Sequence, residues 1–315
     1  VCHWNFHDPS ERPKAMTESN KDQKPANKWV SYRPEIKVID CTIRDGGLMN
    51  DHNFDDGFVR AVYNACVESG IDYMEIGYKN SRRLFDTKTN GPWKFSSEED
   101  IRRIVGDNDT DLKISVMADA EKCDYKTDIV PRDQSPVDMV RVASYVHQVP
   151  LAMEMIQDAH DKGYETCVNL MAVSTVPEWE LDEALAVLAT SEALAIYVVD
   201  SFGALYSEQT HYLVDKYMGF AAPSGKTVGM HAHNNQQLGF ANTIEAIVKG
   251  ANMVDGSMSG LGRGAGNCPM ESLIGFLHNP KFHLRPILQC IQETIEPMRK
   301  DVNWGFSVPY MITGL

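Results

Sequence analysis

Short runs rich in β-branched residues alternate along this chain with longer amphipathic segments. The eight candidate strands are Ile36–Cys41, Asp72–Gly77, Leu112–Met117, Asp138–Ala143, Glu165–Leu170, Ala195–Asp200, Thr227–His231 and Ala251–Asp255. Repeated strand–helix units predict parallel strands joined by helical crossovers. The fold class is therefore α/β, and eight such units predict a (β/α)8 TIM barrel.

Helical patterns fill the gaps between these strands, except in the third unit. The predicted helices are Phe54–Ser69, Ser97–Val105, Leu151–Lys162, Glu178–Thr190, Ser207–Gly219, Gly239–Lys249 and Met270–Leu277. In the third unit, Asp119–Val130 is polar and leaves room only for a short helix before Pro131. A doubly wound open sheet is the alternative fold, but no GxGxxG sequence follows the first strand.

The pattern divides the chain into three segments. Residues 1–35 are polar and show neither helical nor strand periodicity, so we predict an N-terminal arm. Residues 36–280 contain the strand–helix units and form the predicted TIM-barrel catalytic domain. Residues 281–315 predict a short C-terminal helical extension.

Composition excludes several classes of partner. The 30 Lys+Arg against 44 Asp+Glu give a formal net charge of −14, which disfavours nucleic acid. No apolar stretch approaches the roughly 20 residues of a membrane helix, and the polar amino-terminal segment does not resemble a secretory signal. The seven cysteines form no CxxC pair and several lie in apolar runs, so we expect reduced thiols and a cytoplasmic location.

Two histidines at the end of the seventh strand give the strongest functional signal. His231 and His233 are two residues apart, and side chains at i and i+2 of a strand point to the same side. Two imidazoles directed at one point favour a divalent-metal site over surface histidines. At the end of the first strand, Asp45 offers a carboxylate ligand and Arg44 a fixed cation for a developing oxyanion.

Closure of the barrel would make strands seven, eight and one neighbours, so Asp45 is expected to face the histidine pair. A loop with five glycines between residues 256 and 266 follows the eighth strand. It ends at Asn267, which reads either as a helix N-cap or as a carbonyl ligand. Together these segments predict a metal site of two histidines and one carboxylate, with positions open to a chelating substrate.

Other polar residues lie in or at the ends of the predicted strands. Ser201 follows the sixth strand, where its hydroxyl is expected to hold a substrate carboxylate. Arg141 and Lys113 lie within apolar strands, so each must be paired inside the barrel or contact an anionic ligand. We include Arg141 among the candidate substrate-binding residues.

These segments resemble those of the DRE-TIM metallolyases, a superfamily of metal-dependent lyases and aldolases whose TIM barrels begin with Asp-x-Thr-Leu-Arg-Asp-Gly. This chain has DCTIRDG at Asp40–Gly46, with isoleucine in the leucine position. The HAHN sequence at His231–Asn234 resembles the histidine motif of the superfamily, and GAGN at Gly264–Asn267 resembles its late loop. The resemblance extends from about residue 36 to residue 315.

Within the superfamily, the chain most resembles the 4-hydroxy-2-oxovalerate aldolases, through its SGLGRGAGNCPME and WGFSVPYMITG segments. The resemblance implies Mn²⁺ or Mg²⁺ on the three predicted ligands, with Asn267 as a fourth. The ion would chelate a 2-oxo acid, and Arg44 would steady the enolate as a C–C bond breaks to release pyruvate and an aldehyde. It also implies a small-molecule oxo-acid substrate and a homo-oligomer.

One departure from these aldolases concerns the base. They carry a histidine three residues after the metal-binding aspartate, where this chain has Leu48. His52 is the candidate replacement, and Asn50 is a candidate hydrogen-bonding partner of the substrate. Tyr310 is a second candidate for proton transfer, because these aldolases use a tyrosine in the late segment, although Phe306 could be the aligned residue.

Three other functions stay open at this point. A Claisen-type acyl-CoA condensing enzyme, like isopropylmalate and citramalate synthases, would use the same ligands, but its Gln or Glu after RDG is replaced by Gly47 and Leu48. A 3-hydroxy-3-methylglutaryl-CoA lyase would carry its cysteine in a GLGGCP loop, whereas Gly262 is followed here by Arg263. A catalytically silent barrel is supported only by the missing histidine.

Overall fold

The computed structural model describes residues 33–315 and forms a closed parallel barrel in that part of the chain. Its strands are β1 (Lys37–Asp40), β2 (Tyr73–Tyr78), β3 (Lys113–Asp119), β4 (Met139–Ser144), β5 (Glu165–Leu170), β6 (Ala195–Asp200), β7 (Thr227–Ala232) and β8 (Met253–Gly256). The strands pair in chain order, and β1 also pairs with β8. The predicted TIM barrel is confirmed and the open sheet is excluded. The predicted arm lies almost entirely outside the described residues.

Helices follow the strands, as the periodicity predicts. The α-helices are α1 (Thr42–Gly46), α2 (Asp56–Glu68), α3 (Glu98–Val105), α4 (Tyr125–Asp128), α5 (Val149–Asp161), α6 (Glu178–Leu188), α7 (Ser207–Ala221), α8 (Gly239–Val248), α9 (Met270–Leu277), α10 (Leu284–Cys290) and α11 (Val308–Thr313). Short 3₁₀ turns occupy Gly47–Met49, Pro92–Lys94, Arg132–Gln134, Val146–Gln148, Val173–Thr175, Ala222–Ser224, Met258–Gly260 and Glu296–Lys300. The weak third unit has only the four-residue α4. Among the described helices, none has the length and hydropathy needed to cross a membrane.

Strand alternation separates an apolar layer outside the barrel from a polar centre. In β2, Met74 and Ile76 belong to the large cluster between strands and helices, whereas Tyr73 belongs to a smaller cluster inside the barrel. Glu75, also directed inward, is completely buried and forms an ion pair with Arg141 of β4. Charged side chains thus occupy the interior above the apolar floor, toward the carboxyl ends of the strands, where TIM barrels place their active sites.

The segment after α9 braces the loops that follow β7 and β8. In this segment, α10 continues into a π-helical turn at Ile291–Ile295 and then into a 3₁₀ turn. The buried indole of Trp304 donates to the carbonyl of Ser259, and the Arg299 guanidinium lies 3.8 Å from the centre of that ring. The side chain of Asn235 donates to the carbonyl of Tyr310 in α11.

Candidate metal centre

The local structure after β1 places two charged residues at the barrel axis. Asp40, the last residue of β1, accepts hydrogen bonds from the backbone N–H of Thr42 at 3.0 Å and from its hydroxyl at 2.7 Å. These bonds turn the chain at once into α1, whose five residues are all buried. Arg44 and Asp45 lie on this one-and-a-half-turn helix, so a rigid element holds both.

Asp45, His231 and His233 form a compact group, as predicted. Each offers a ligand atom, and the three atoms all lie within 4.8 Å of one another. The two imidazole rings are 4.9 Å apart, one on β7 and one just after it. Within residues 33–315, a second group has three ligand atoms equally close together. It consists of Cys41, His231 and Asp255 and shares His231 with the first group.

The hydrogen bonds of both histidines leave Nε2 directed at the shared point. His231 Nδ1 lies 2.8 Å from a carboxylate oxygen of Asp255, and His233 Nδ1 lies 2.9 Å from the carbonyl oxygen of Asp200. Because both acceptors require a donor, each ring carries its proton on Nδ1 and a lone pair on Nε2. Burial lowers the pKa of His231, which favours this neutral form although Asp255 opposes the shift.

Asp45 is ionised and only half satisfied. Burial alone would raise the pKa of Asp45, but Arg44 and the two histidines outweigh that effect and hold it well below its usual value. Its Oδ1 accepts from Arg44 at 2.8 Å. Its Oδ2 lies 3.6 Å from His233 Nε2 and has no hydrogen-bond partner among the described residues.

Asn267 completes the group from the loop after β8. It forms an isolated bridge with His233, and its Oδ1 is buried without a partner in the described part of the chain, like His231 Nε2. A Cβ on Gly262 would come within 2.7 Å of Asp45 Oδ2 and 2.4 Å of the Asn267 amide nitrogen, so only glycine lets this loop pass so close. The unsatisfied carboxylate, imidazole and amide atoms fit the donor set of a divalent cation. We call these four residues, which lie on α1, at the end of β7 and in the loop after β8, the metal seam.

A chain of buried ion pairs runs behind the metal seam. His231 is bonded to Asp255, whose same oxygen accepts from Arg141 at 2.7 Å. Arg141 in turn lies 3.1 Å from Glu75, and Glu75 accepts from Arg44 at 2.6 Å. Because Arg44 also holds Asp45, the chain links two of the predicted ligands through the barrel interior. Opposite charges alternate along it, which offsets the cost of burying them.

A cavity of about 210 Å³ opens over this group. Arg44, Asp45, His231 and His233 line it, and so do Ser201 and Arg263, whose guanidinium donates to the Ser201 carbonyl at 3.0 Å. Arg44 keeps a third nitrogen, Nη2, without a partner in residues 33–315. A larger cleft of about 730 Å³ lies between the loops after β2 and β3, and none of the predicted site residues line it.

Besides Asn267, four predicted residues do not line the cavity, and their roles stay predictions. Arg141 could be paired inside the barrel or contact an anionic ligand, and in the structure it is buried and paired inside the barrel. Asn50 donates to the carbonyl of Asn53 in its own loop, and Tyr310 lies over Gly264. The buried His52 ring contacts the edge of Tyr78, and burial lowers its pKa to about 3, which makes it a weak proton acceptor.

Sequence reasoning missed the side of the cavity opposite the metal seam. Tyr78, Lys94 and Lys122 line that side, from the end of β2 and from the loops after β2 and β3. We call these three residues the lysine wall. Tyr78 falls one residue beyond the predicted second strand, and the two lysines lie in loops without a motif. The strand-end rule applied to β2 would have found Tyr78, but no sequence signal singled out the lysines.

Residues 35–296 match the model of the HMGL-like family. Curated relatives include 4-hydroxy-2-oxovalerate aldolase 3 of Rhodococcus opacus, 30% identical over 76% of this chain and 70% of that protein. Another is 4-hydroxy-2-oxovalerate aldolase 1 of Mycobacteroides abscessus, 29% identical over 76% of this chain and 66% of that protein.

Solved structures share the barrel. The N-terminal domain of a Bacteroides vulgatus protein assigned as an aldolase is 28% identical, with a TM-score of 0.74 over 89% of this chain and 92% of that one. The HMG-CoA lyase of Brucella melitensis, at 16% identity, has a TM-score of 0.69 over 84% of this chain and 99% of that one, which shows the fold alone. The sequence relatives indicate an enzyme of the lyase kind.

Proposed function

This chain belongs to the HMGL-like family, and from that membership we propose that it is a divalent-metal-dependent aldolase acting on a 4-hydroxy-2-oxo acid. The reaction breaks the bond between C3 and C4 and yields pyruvate and an aldehyde. One observation carries the proposal. Asp45, His231 and His233 converge in a buried group, in which Asp45 Oδ2 and His231 Nε2 have no hydrogen-bond partner among the described residues.

The metal seam would hold the ion. Asp45 contributes an ionised oxygen, the two histidines contribute Nε2, and Asn267 contributes its amide oxygen. When bound, a divalent ion supplies Lewis acidity toward the oxygens of a 2-oxo acid. Both Mn²⁺ and Mg²⁺ accept carboxylate ligands, but two imidazoles favour the softer Mn²⁺.

Arg44 is positioned to stabilise the charge that develops on pyruvate. Glu75 fixes its Nε and Asp45 fixes its Nη1, so the free Nη2 has one available direction. Burial would lower the pKa of Arg44, but the two carboxylates raise it well above its usual value and keep the cation permanent. A fixed donor of this kind stabilises an enolate oxygen without the cost of reorientation.

Ser201 and Arg263 would bind the carboxylate of the oxo acid. The Ser201 hydroxyl accepts from the backbone N–H of Ala172 at 2.9 Å, which leaves its own proton free to donate. Arg263 lies beside it and has no carboxylate partner among residues 33–315. An anionic group between a hydroxyl and a guanidinium would be held at two points.

The proposed reaction requires two proton transfers. The 4-hydroxyl must lose a proton and the enolate must gain one. His52 and Tyr310 stay candidates from the sequence, while Tyr78 lines the cavity itself, with the Arg44 guanidinium 5.9 Å from its ring centre. Burial raises the pKa of Tyr78, so at neutral pH it holds its proton and acts as a donor.

Pyruvate release tests the proposed function. A panel of 4-hydroxy-2-oxo acids of increasing chain length is incubated with Mn²⁺-loaded protein, with pyruvate detected through lactate dehydrogenase. We expect pyruvate with Mn²⁺ or Mg²⁺ and none after EDTA. Metal binding without pyruvate would contradict the aldolase and support either acyl-CoA condensation or a silent barrel. Activity in EDTA that borohydride and substrate abolish would instead indicate a Schiff-base lysine.

A further inference from the structure

Lys94 differs from the other lysines that line the two cavities described above. It closes the 3₁₀ turn Pro92–Lys94 after β2, and its half-buried side chain lines the cavity above the metal seam. Its ammonium lies 5.0 Å from the centre of the Tyr78 ring and 4.5 Å from that of Phe85. The Arg44 guanidinium lies 5.9 Å from the centre of the same Tyr78 ring, so Tyr78 neighbours both cations.

The Lys94 ammonium has aromatic neighbours but no carboxylate partner. Across residues 33–315, no Asp or Glu oxygen lies within ion-pair distance of it, whereas the nearby Lys79 is paired with Glu98 at 2.6 Å. Burial lowers the pKa of Lys94, a shift that Asp119 and Asp51 oppose from farther away. A cation held half-buried without a counter-ion is costly, and an anionic ligand would repay that cost.

The two sides of the cavity differ in their balance of positive and negative charge. In the metal seam and the ion pairs behind it, arginines and carboxylates alternate. At the lysine wall, Lys122 is paired with Asp119 at 3.1 Å, and among the described residues Asp119 is the one carboxylate that lines this side of the cavity, against two lysines. Both lysines line the same cavity, and Lys122 contributes to the lowering of the pKa of Lys94. The wall therefore carries an uncompensated positive charge.

We propose that the lysine wall is an anion subsite, and that the substrate carries a second negatively charged group, a carboxylate or a phosphate, on the side of C4 away from the oxo acid. The inference rests on the proposed function for the orientation of the substrate. Lys94 would contact the anionic tail directly, and Lys122 would strengthen the field around it. The aldehyde product would then be an anionic aldehyde rather than acetaldehyde or another neutral one.

Two 2-oxo acids of equal length test the subsite without turnover. 2-Oxoglutarate has a distal carboxylate, and 2-oxovalerate has a methyl group in its place. Calorimetric titration of the Mn²⁺-loaded protein should show 2-oxoglutarate binding about tenfold or more tightly, as expected for a hydrogen bond to a charged group. In Lys94→Met, which keeps an apolar stem over Tyr78, the preference should disappear. Lys94→Arg should retain most of it.

A matched control is available outside the cavity. Lys126 also lies over a tyrosine ring, 5.8 Å from the centre of Tyr125, but it is exposed and does not line the cavity. Lys126→Met should bind both acids as the wild type does. Equal affinity of the wild type for the two acids, no binding of either, or a preference that survives Lys94→Met would each overturn the subsite.

Turnover separates failure of the subsite from failure of the aldolase. In the condensation direction, pyruvate is combined with butanal, succinate semialdehyde or glyceraldehyde 3-phosphate. A kcat/KM at least tenfold higher for either anionic aldehyde supports the subsite, and the better of the two identifies the anion. Equal rates with all three keep the aldolase and overturn the subsite. No condensation, with 2-oxoglutarate still preferred in a Lys94-dependent way, overturns the aldolase and keeps the subsite.

Discussion

The metal seam and the lysine wall form two sides of one cavity, and the structure holds them in different ways. In the metal seam, the residues lie on or beside β1 and β7 or are bridged to them, and each side chain has a bonded partner that fixes its direction. In the lysine wall, Lys94 and Lys122 come from loops, and Lys94 is held by aromatic rings instead of by an ion pair. We therefore expect the seam to determine the chemistry and the wall to determine substrate preference.

Loss of a metal-seam ligand should have the largest effect. In His231→Ala, the protein should lose bound metal and pyruvate release together, because the remaining groups offer too few fixed donors for a divalent ion. Metal content after dialysis and coupled pyruvate release measure the two losses.

His211→Ala provides the control. His211 also contacts a carboxylate, Glu245, at 2.5 Å, but it lies on α7 outside the cavity. This variant should keep metal and activity. Turnover that persists in His231→Ala with no metal bound would contradict the division of roles between seam and wall.

Arg44→Lys should lower kcat without removing metal. Lysine retains the charge but cannot bond Glu75 and Asp45 and still present a donor to the cavity, as the guanidinium does. Removing a fixed oxyanion donor costs about 100- to 1,000-fold in kcat. A wild-type kcat in this variant would contradict the role of Arg44 in oxyanion stabilisation and would favour a residue of the lysine wall in that role.

Asp255→Asn tests whether the ion pairs behind the metal seam affect its affinity for metal. Asp255 orients His231 and is paired with Arg141, so the amide should weaken metal binding by about 10- to 100-fold, as changes behind metal-binding histidines do. Calorimetric titration with Mn²⁺ gives the affinity. Asp138→Asn is the control. Asp138 is also paired with an arginine, Arg132, at 2.6 Å, but it belongs neither to the metal seam nor to the lining of the cavity above it. Equal losses of metal affinity in both variants would indicate a general loss of protein stability.

The same contrast explains what the sequence could predict. Strand order in a barrel follows from chain order, so a motif at the end of β1 and another at the end of β7 could be placed side by side from the sequence alone. Asp45, His231, His233 and Asn267 all converge as that reasoning requires. The two-residue spacing of the histidines and the positions of the motifs at strand ends were sufficient to predict this group, because regular structure determines where such side chains point.

The wall could not be predicted because its geometry depends on loops. His52, the candidate base, lies in a loop where it and Asp51 both adopt positive φ, which brings the His52 ring close to Gly47 and against Tyr78 of the wall. No periodicity encodes such a turn. Arg141 shows a related difficulty, since its spacing is compatible with an ion pair or with a ligand contact, and only the positions of Glu75 and Asp255 decide between them.

His52→Asn should have the smallest effect, and it acts on stability rather than on metal. Asparagine tolerates the positive φ of 60° at this position and removes the titratable ring. The pKa of His52 falls from 6.5 to about 3 in the folded protein, so below pH 6.5 the unfolded chain binds more protons and the native state loses stability. The slope is up to about 1.4 kcal/mol per pH unit.

Urea unfolding at pH 7 and pH 5 measures this effect, provided that both proteins are metal-free so that ligation does not contribute. The wild type should lose about 2 kcal/mol more than His52→Asn across that range. Pyruvate release by the same variant at pH 7 gives the second readout. A loss in kcat of more than about 100-fold, with metal retained, would support the base role that the sequence suggested. A change of a few-fold would leave His52 as a buried ring that supports Tyr78, and the proton donor would then be sought on Tyr78 itself.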